Sequence, residues 1–280
     1  MTLREALTEA TTHIARRDAE ILLSHLLSRD RVWTFANRDA DILPADLAAF
    51  RILVARRAAH EPLQYLTGTQ DFYGLTLNVT PDTLIPRPET ELLVEAVLQW
   101  ITAHPRLSAS RIVDIGTGTG AIALALAARL PTANITATDI SPATLAVARE
   151  NAERLGLANR VNFILSDLLD ELAPQLKQGR PFNIIVSNPP YVPSTDAATL
   201  QPEVVQHEPH TALFAGPTGL DIYQRLIPQA RAALSPAGLL ALEFGFGQRD
   251  PLAELLKGWR NLQFLDDYAG IPRIALASRP

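Results

Sequence analysis

The sequence predicts an α/β protein: a doubly wound, mostly parallel seven-stranded sheet with a small N-terminal helical bundle joined to it by a β-hairpin. Three observations predict it. From Arg111 onward, short apolar runs alternate with helical periodicities, the rhythm of parallel strands joined by crossover helices. The first of those runs leads into Gly116-Thr117-Gly118-Thr119-Gly120, a glycine-rich turn that opens a helix. Before Gln70, by contrast, apolar residues recur at helical spacing.

Thr2 and Glu5 form a capping-box pattern, after which Leu3, Leu7, Ala10 and Ile14 mark a helical face. A second helix is expected near Asp18–Ser28 and a third from Pro44 toward His60, with proline at its first position. Short amphipathic helices of this kind must pack on one another to bury their faces, which predicts a helical domain over residues 1–69. Leu75, Leu77 and Val79 then alternate with Thr76 and Asn78, and Tyr73-Gly74 suits a turn, so residues 70–86 read as a hairpin linker. Residues 87–280 form the expected sheet domain. A helix carries Leu92, Leu93, Ala96, Val97 and Trp100. Strands are expected at 111–115, 135–138, 161–165, 182–187, 239–244, 262–265 and 273–277, with helices at 121–130, from Ser141-Pro142 through Leu155, at 220–234 and at 251–256. No helix separates the last two strands, so at least one pairing there must be antiparallel.

Composition narrows the function. Of 280 residues, 47% are hydrophobic and 20% charged, the balance of an ordinary globular protein. No apolar run approaches the ~20 residues a membrane span needs. Met1-Thr2-Leu3-Arg4-Glu5 lacks the pattern of a secretory signal, and a cytoplasmic home is expected. The absence of cysteine excludes disulfides, thiolate metal sites and a cysteine nucleophile. Lys177 and Lys257 lie outside any Gly-Lys-Ser/Thr loop, which excludes a P-loop nucleotidase. A net charge of −5 disfavours nucleic acid as a direct partner. His207 and His210, three apart, read as structural rather than as bases or metal ligands, and no metal is expected.

Chemistry concentrates at two strand ends. Asp114 precedes the glycine turn of Gly116, Thr117, Gly118, Thr119 and Gly120, where backbone can approach a ligand closely. Asp139 ends the next strand, placed to take both hydroxyls of a ribose, and Asp167 and Leu168 follow the third strand. Those features fit a nicotinamide dinucleotide or S-adenosylmethionine. An acid within the first turn suits a positive methionine end better than a pyrophosphate. The fourth strand then ends in Ser187-Asn188-Pro189-Pro190-Tyr191. Two prolines stop the ladder in a stiff loop whose carbonyls, with the Asn188 side chain, leave hydrogen-bond acceptors free. Such a loop resembles the Asn-Pro-Pro-Tyr loop of amino-methyltransferases, which grip an –NH2 group.

With Glu61 to Gly68, Leu84 to Glu91, Glu208-Pro209 and Asp267 to Arg273 added, the chain resembles the HemK/PrmC family of protein-(glutamine-N5) methyltransferases over essentially its whole length. The resemblance implies a Rossmann-like fold of the class I S-adenosylmethionine-dependent type. It implies S-adenosyl-L-methionine as cofactor, S-adenosyl-L-homocysteine as product, and class-I peptide chain release factors as partners. The glutamine of their Gly-Gly-Gln motif would be methylated on N5. Asp114, Gly116–Gly120, Asp139, Asp167, Leu168 and Asn188 would then line the cofactor. Asn188, Pro189, Pro190, Tyr191 and Arg87 would meet the substrate, with Asn188, Pro189 and Tyr191 in the catalytic roles. Some relatives carry tryptophan where Leu168 stands. The nearest alternative is an N6-adenine or other exocyclic-amino nucleic-acid methyltransferase, since a base –NH2 fits the same loop.

Overall fold

A computed structural model describes residues 1–105 and 110–280. The chain divides into two compact units. One comprises residues 1–69 and 200–207, the other residues 70–199 and 208–280.

The first unit is helical: α1 (Leu3–Ala10), α2 (Arg16–Leu26), α3 (Arg31–Ala36), α4 (Pro44–Ala58), α5 (Leu63–Thr67) and, from the later segment, α10 (Pro202–His207). The Thr2–Glu5 capping box forms in both directions, at 3.2 and 2.8 Å. Leu3, Leu22, Leu23 and Phe50 anchor the shared core. The sequence does not announce α3. Six residues are too few for a periodicity, and the helix rests instead on Asp30, whose carboxylate accepts from Trp33 N at 2.6 Å. Arg57 ties the late segment to the bundle, bonding Asp18 and Glu203 at 2.7 Å each.

Strands β1 (Thr69–Phe72) and β2 (Leu75–Asn78) form the hairpin. Both turn residues, Tyr73 and Gly74, have positive φ (50° and 79°), the geometry whose twist matches that of the flanking strands. The second unit continues with α6 (Thr90–Ala103), β3 (Arg111–Ile115), α7 (Ala121–Arg129), β4 (Asn134–Asp139), α8 (Pro142–Arg154), β5 (Val161–Leu165), α9 (Ala173–Lys177) and β6 (Phe182–Ser187). It ends with α11 (Asp221–Ala233), β7 (Leu234–Glu243), α12 (Arg249–Leu255), β8 (Arg260–Asp266) and β9 (Pro272–Ser278). The sheet has seven strands in the order β5-β4-β3-β6-β7-β9-β8. Strands β3 to β7 run parallel, and β9 is antiparallel to both of its neighbours. Strand β7 starts five residues earlier than the apolar run suggests. Its pairing jumps from Phe182↔Leu234 to Ile184↔Leu239, and Ser235-Pro236-Ala237-Gly238 is looped out between them.

Alternate strand residues enter opposite cores. Ile184 and Val186 face one cluster with Leu93 and Leu124, whereas Ile185 faces the other with Tyr223 and Leu252. Both faces are therefore covered, as a parallel sheet requires. The strand order reverses between β3 and β6, so the loops after those strands diverge and leave a crevice at their C-terminal ends. Among the described residues, no helix is long and apolar enough to cross a membrane.

Asn151 of α8 joins the hairpin to the glycine turn. Fully buried, it accepts from Asn78 N at 2.7 Å and donates to the carbonyls of Asn78 and Thr119 at 3.0 Å each. Replacing Asn151 by Ala strands those three backbone groups, and urea denaturation should show a loss of about 2–4 kcal/mol. A loss below about 0.5 kcal/mol would show that the clamp contributes nothing.

Candidate active site

Parallel register delivers the site residues to one edge. Ile115 of β3 pairs with Thr138 of β4 and with Ser187 of β6, so Gly116, Asp139 and Asn188 follow at one level. Ser187 fixes that level further by donating its hydroxyl to the Ile115 carbonyl at 2.7 Å.

Asp114 lies below this edge, fully buried. Its Oδ2 accepts from Thr117 Oγ1 at 2.6 Å and from Ala123 N at 3.2 Å, which shapes the turn and starts α7. Its Oδ1 is buried without a partner among the described residues. Gly116 and Gly118 have φ of 69° and 57°, and a Cβ on either would meet open space. Gly120 serves packing instead, since a Cβ there would stand 3.0 Å from Leu124. Asp139 accepts from Gly118 N at 3.1 Å and from Ser141 N at 3.0 Å, so it holds the turn. Ile140 beside it is exposed, an apolar face that its place between two polar residues conceals in the sequence.

Asn188 donates from Nδ2 to Thr90 Oγ1 at 3.0 Å, and its Oδ1 takes no hydrogen bond from the described residues. Pro189 is buried, and Pro190 and Tyr191 are half-buried. Gln248 clasps the loop by donating to the Tyr191 carbonyl at 2.8 Å. A Cβ on Gly219 would stand 2.2 Å from that same carbonyl, so only glycine fits there. The Tyr191 ring packs on the core around Tyr223, and burial raises its hydroxyl pKa, which keeps it protonated.

Three predicted site residues have protein partners. Arg87 pairs with buried Glu208 at 2.5 Å, and Glu208 also accepts from Ile85 N at 3.3 Å, so Arg87 tethers its own loop. Asp167 pairs with Arg225 at 2.7 Å. Leu168, in left-handed conformation (φ 51°), turns into the core and leaves little surface for a ligand.

A family model of the PrmC N-terminal domain matches residues 2–68, and a model of the methyltransferase small domain matches residues 89–216. The release factor glutamine methyltransferase of Moorella thermoacetica is 45% identical over 289 residues, covering 100% of this chain and 99% of that protein. Its counterpart from Koribacter versatilis is 41% identical, with 100% and 99% covered. A 16S rRNA methyltransferase of T. thermophilus, solved with AdoMet and guanosine, shares the fold at a TM-score of 0.54 and 22% identity. That match covers 76% of this chain and 50% of the other.

The chain belongs to the release factor glutamine methyltransferase family.

In this family member, sequence reading missed Thr90, Gln248 and above all Glu243. Glu243 is almost fully buried at the end of β7. The signal was present, because a lone acid inside the apolar run Leu239–Phe244 needs partners. Burial pushes its carboxyl up to about 7, opposed by the Thr90 hydroxyl and by Arg273. Burial likewise pushes Asp114 up to about 7, against the pull of Thr117 and Ala123.

Carboxylates in the unfolded chain titrate near 4. Between about pH 4 and 7 the folded state therefore holds more protons than the unfolded state at these two positions. Stability drawn from them falls as pH rises through that window, by about 1.4 kcal/mol per pH unit for each group. Asp114→Asn should remove one share of that slope when urea denaturation of the cofactor-free protein is compared at pH 5 and pH 7. An unchanged slope would mean that Asp114 is ionised throughout.

Proposed function

We propose that the protein transfers the methyl group of S-adenosyl-L-methionine to N5 of the glutamine in the Gly-Gly-Gln motif of class-I peptide chain release factors. The observation that carries this reading is the Asn188 side chain, whose amide nitrogen is committed to Thr90 while Oδ1 stands free at a strand end. The substrate class follows from relatives that are named for it and match over the whole chain.

The residues fit the cofactor. The unpartnered Asp114 Oδ1 suits an ammonium group. Gly116 and Gly118 leave room for a ligand against the backbone, Asp139 offers two carboxylate oxygens to a ribose, and Ile140 offers apolar surface to a base. When bound, the cofactor supplies an electrophilic methyl group on a sulfonium centre.

A glutamine amide nitrogen is a weak nucleophile because its lone pair is delocalised into the carbonyl. Asn188 Oδ1 and the Pro189 carbonyl accept its two N–H bonds and so orient the nitrogen. Positive charge grows on that nitrogen during transfer, and its hydrogens become stronger donors. Both acceptors therefore bind the transition state more tightly than the ground state. Tyr191 flanks the amide plane. No strong base is required, since the proton leaves to water once the nitrogen is charged. Residues 1–69 assist recognition of the protein substrate, residues 70–86 link, and residues 87–280 carry the chemistry.

Incubation of the purified protein with S-adenosylmethionine and a class-I release factor should add about 14 Da, one methyl group replacing a hydrogen, to the Gly-Gly-Gln peptide in mass spectrometry. Asn188→Ala should lower kcat by about 10²–10³, the scale of losing one preorganised transition-state partner. Methylation of adenine-containing oligonucleotides with an unmodified release factor would overturn the assignment.

A further inference from the structure

Two aromatic rings stand in solvent near the substrate loop: Phe246, 79% exposed, and Tyr268, 91% exposed. A single exposed apolar side chain needs no explanation. These two are set apart by where they stand and by how firmly the backbone beneath them is held.

Phe246 follows the end of β7, in Gly245-Phe246-Gly247. Strands β6 and β7 pair in parallel, so this loop leaves the sheet beside Asn188-Pro189-Pro190-Tyr191. The two loops are joined. Gln248 donates to the Tyr191 carbonyl at 2.8 Å, and its Oε1 accepts from Gly245 N at 2.9 Å, so one buried amide holds both. A Cβ on Gly245 would stand 3.0 Å from Tyr191 Cδ2, so the Gly245 backbone packs on the tyrosine ring. Phe246 is thus the next residue after one that touches Tyr191, yet its own ring is left in water.

Tyr268 occupies the turn between β8 and β9. Strand β9 is antiparallel to β7 and to β8, and Glu243 pairs with Ile274, so this turn comes back to the edge where β6 and β7 end. With adjacent strands about 4.8 Å apart, the turn stands roughly 12 Å from the end of β6, the reach of about three or four extended residues. Its backbone is fully engaged. Asp267 Oδ1 accepts from Ala269 N and Ile271 N at 2.9 Å each, Gly270 N donates to the Asp267 carbonyl at 2.9 Å, and Arg273 braces the same carboxylate at 3.3 Å. The turn is rigid beneath a ring that it leaves almost wholly in solvent.

Rings on braced loops offer contact area with few rotatable bonds, so a partner that covers them costs little side-chain entropy. Asp250, Asp266 and Asp267 outweigh Arg249 and Arg273 in these two loops, which gives no positive surface for a phosphate backbone. An uncharged stretch of polypeptide with small or apolar side chains fits instead.

We propose that Phe246 and Tyr268 dock the release-factor segment that flanks the target glutamine, one ring beside the substrate loop and the other a few residues further along. They set affinity for the protein substrate without entering the chemistry. The proposal rests on the release-factor reading above. It also gives a function to the stretch Asp267 to Arg273, a part of the family resemblance that the transfer step leaves unused.

Both rings are exposed, so replacing them should leave the fold intact. Phe246→Ala and Tyr268→Ala should each raise KM for folded release factor at least about fivefold, the scale of losing one well-covered aromatic, with kcat at saturation within about twofold of wild type. Calorimetry should show unchanged S-adenosylmethionine affinity. Release-factor affinity, measured with S-adenosylhomocysteine present, should weaken by the same factor as KM. Tyr268→Phe, which keeps the ring, should match wild type, and Asp267→Ala, which unties the turn, should raise KM as Tyr268→Ala does. Wild-type KM in either Phe246→Ala or Tyr268→Ala, a fall in kcat with KM unchanged, or equal damage from Tyr268→Phe and Tyr268→Ala would each overturn the proposal. So would variants that lose binding to an adenine oligonucleotide while keeping the release-factor KM. Failure of the functional reading is distinct, because the wild-type protein itself would then leave the glutamine unmodified.

Discussion

The structure depends on the alignment of four parallel strand ends. Strands β4, β3, β6 and β7 lie side by side, and their pairing places Asp139, Gly116, Asn188 and Glu243 along one edge of the sheet. A one-residue slip of any strand would send its side chains to the opposite face and break the set. Two apolar faces prevent that slip, because Ile184, Ile185 and Val186 are all buried, on alternating sides. The Ser187 hydroxyl bound to the Ile115 carbonyl closes the register at the last residue before the loop. Packing in the middle of the sheet thus fixes geometry at its end.

That edge concentrates polarity that folding alone would not favour. Asp114 and Glu243 are both carboxylates in the interior, and each retains an oxygen without a hydrogen-bond partner among the described residues. Burying such groups opposes stability unless they are partnered. Asp114 is partly compensated by the Thr117 hydroxyl and the Ala123 N–H, and its remaining oxygen is an acceptor suited to a cationic ligand. Weak stability at this edge is the expected cost of such buried acids.

Much of this was legible in the sequence. The alternation of strands and helices, the glycine turn and the double proline are local signals, because glycine and proline act on the backbone where they stand. The capping box at Thr2 and the Tyr73-Gly74 turn are equally local. What escaped is non-local. Nothing near Thr90 shows that Asn188, 98 positions later, will donate to it. Nothing near Arg57 points to Glu203, 146 positions away. Arg87 looked available for substrate because its partner Glu208 lies 121 residues on. Glu243 stood within a plainly read strand, and the missed inference was that the strand end buries an acid. The short α3 escaped for a different reason, since a single cap and one and a half turns leave no periodic trace.

The central claim is that Asn188 works through an acceptor oxygen held at a fixed place. The most direct measurement is the single-turnover rate of Asn188→Asp beside that of Asn188→Ala, with saturating S-adenosylmethionine and release factor. Aspartate keeps an oxygen near the position of Oδ1 and adds a charge, so it should fall short of wild type yet transfer the methyl group faster than alanine. Equal rates for aspartate and alanine, both near wild type, would make Asn188 a turn residue and contradict the account.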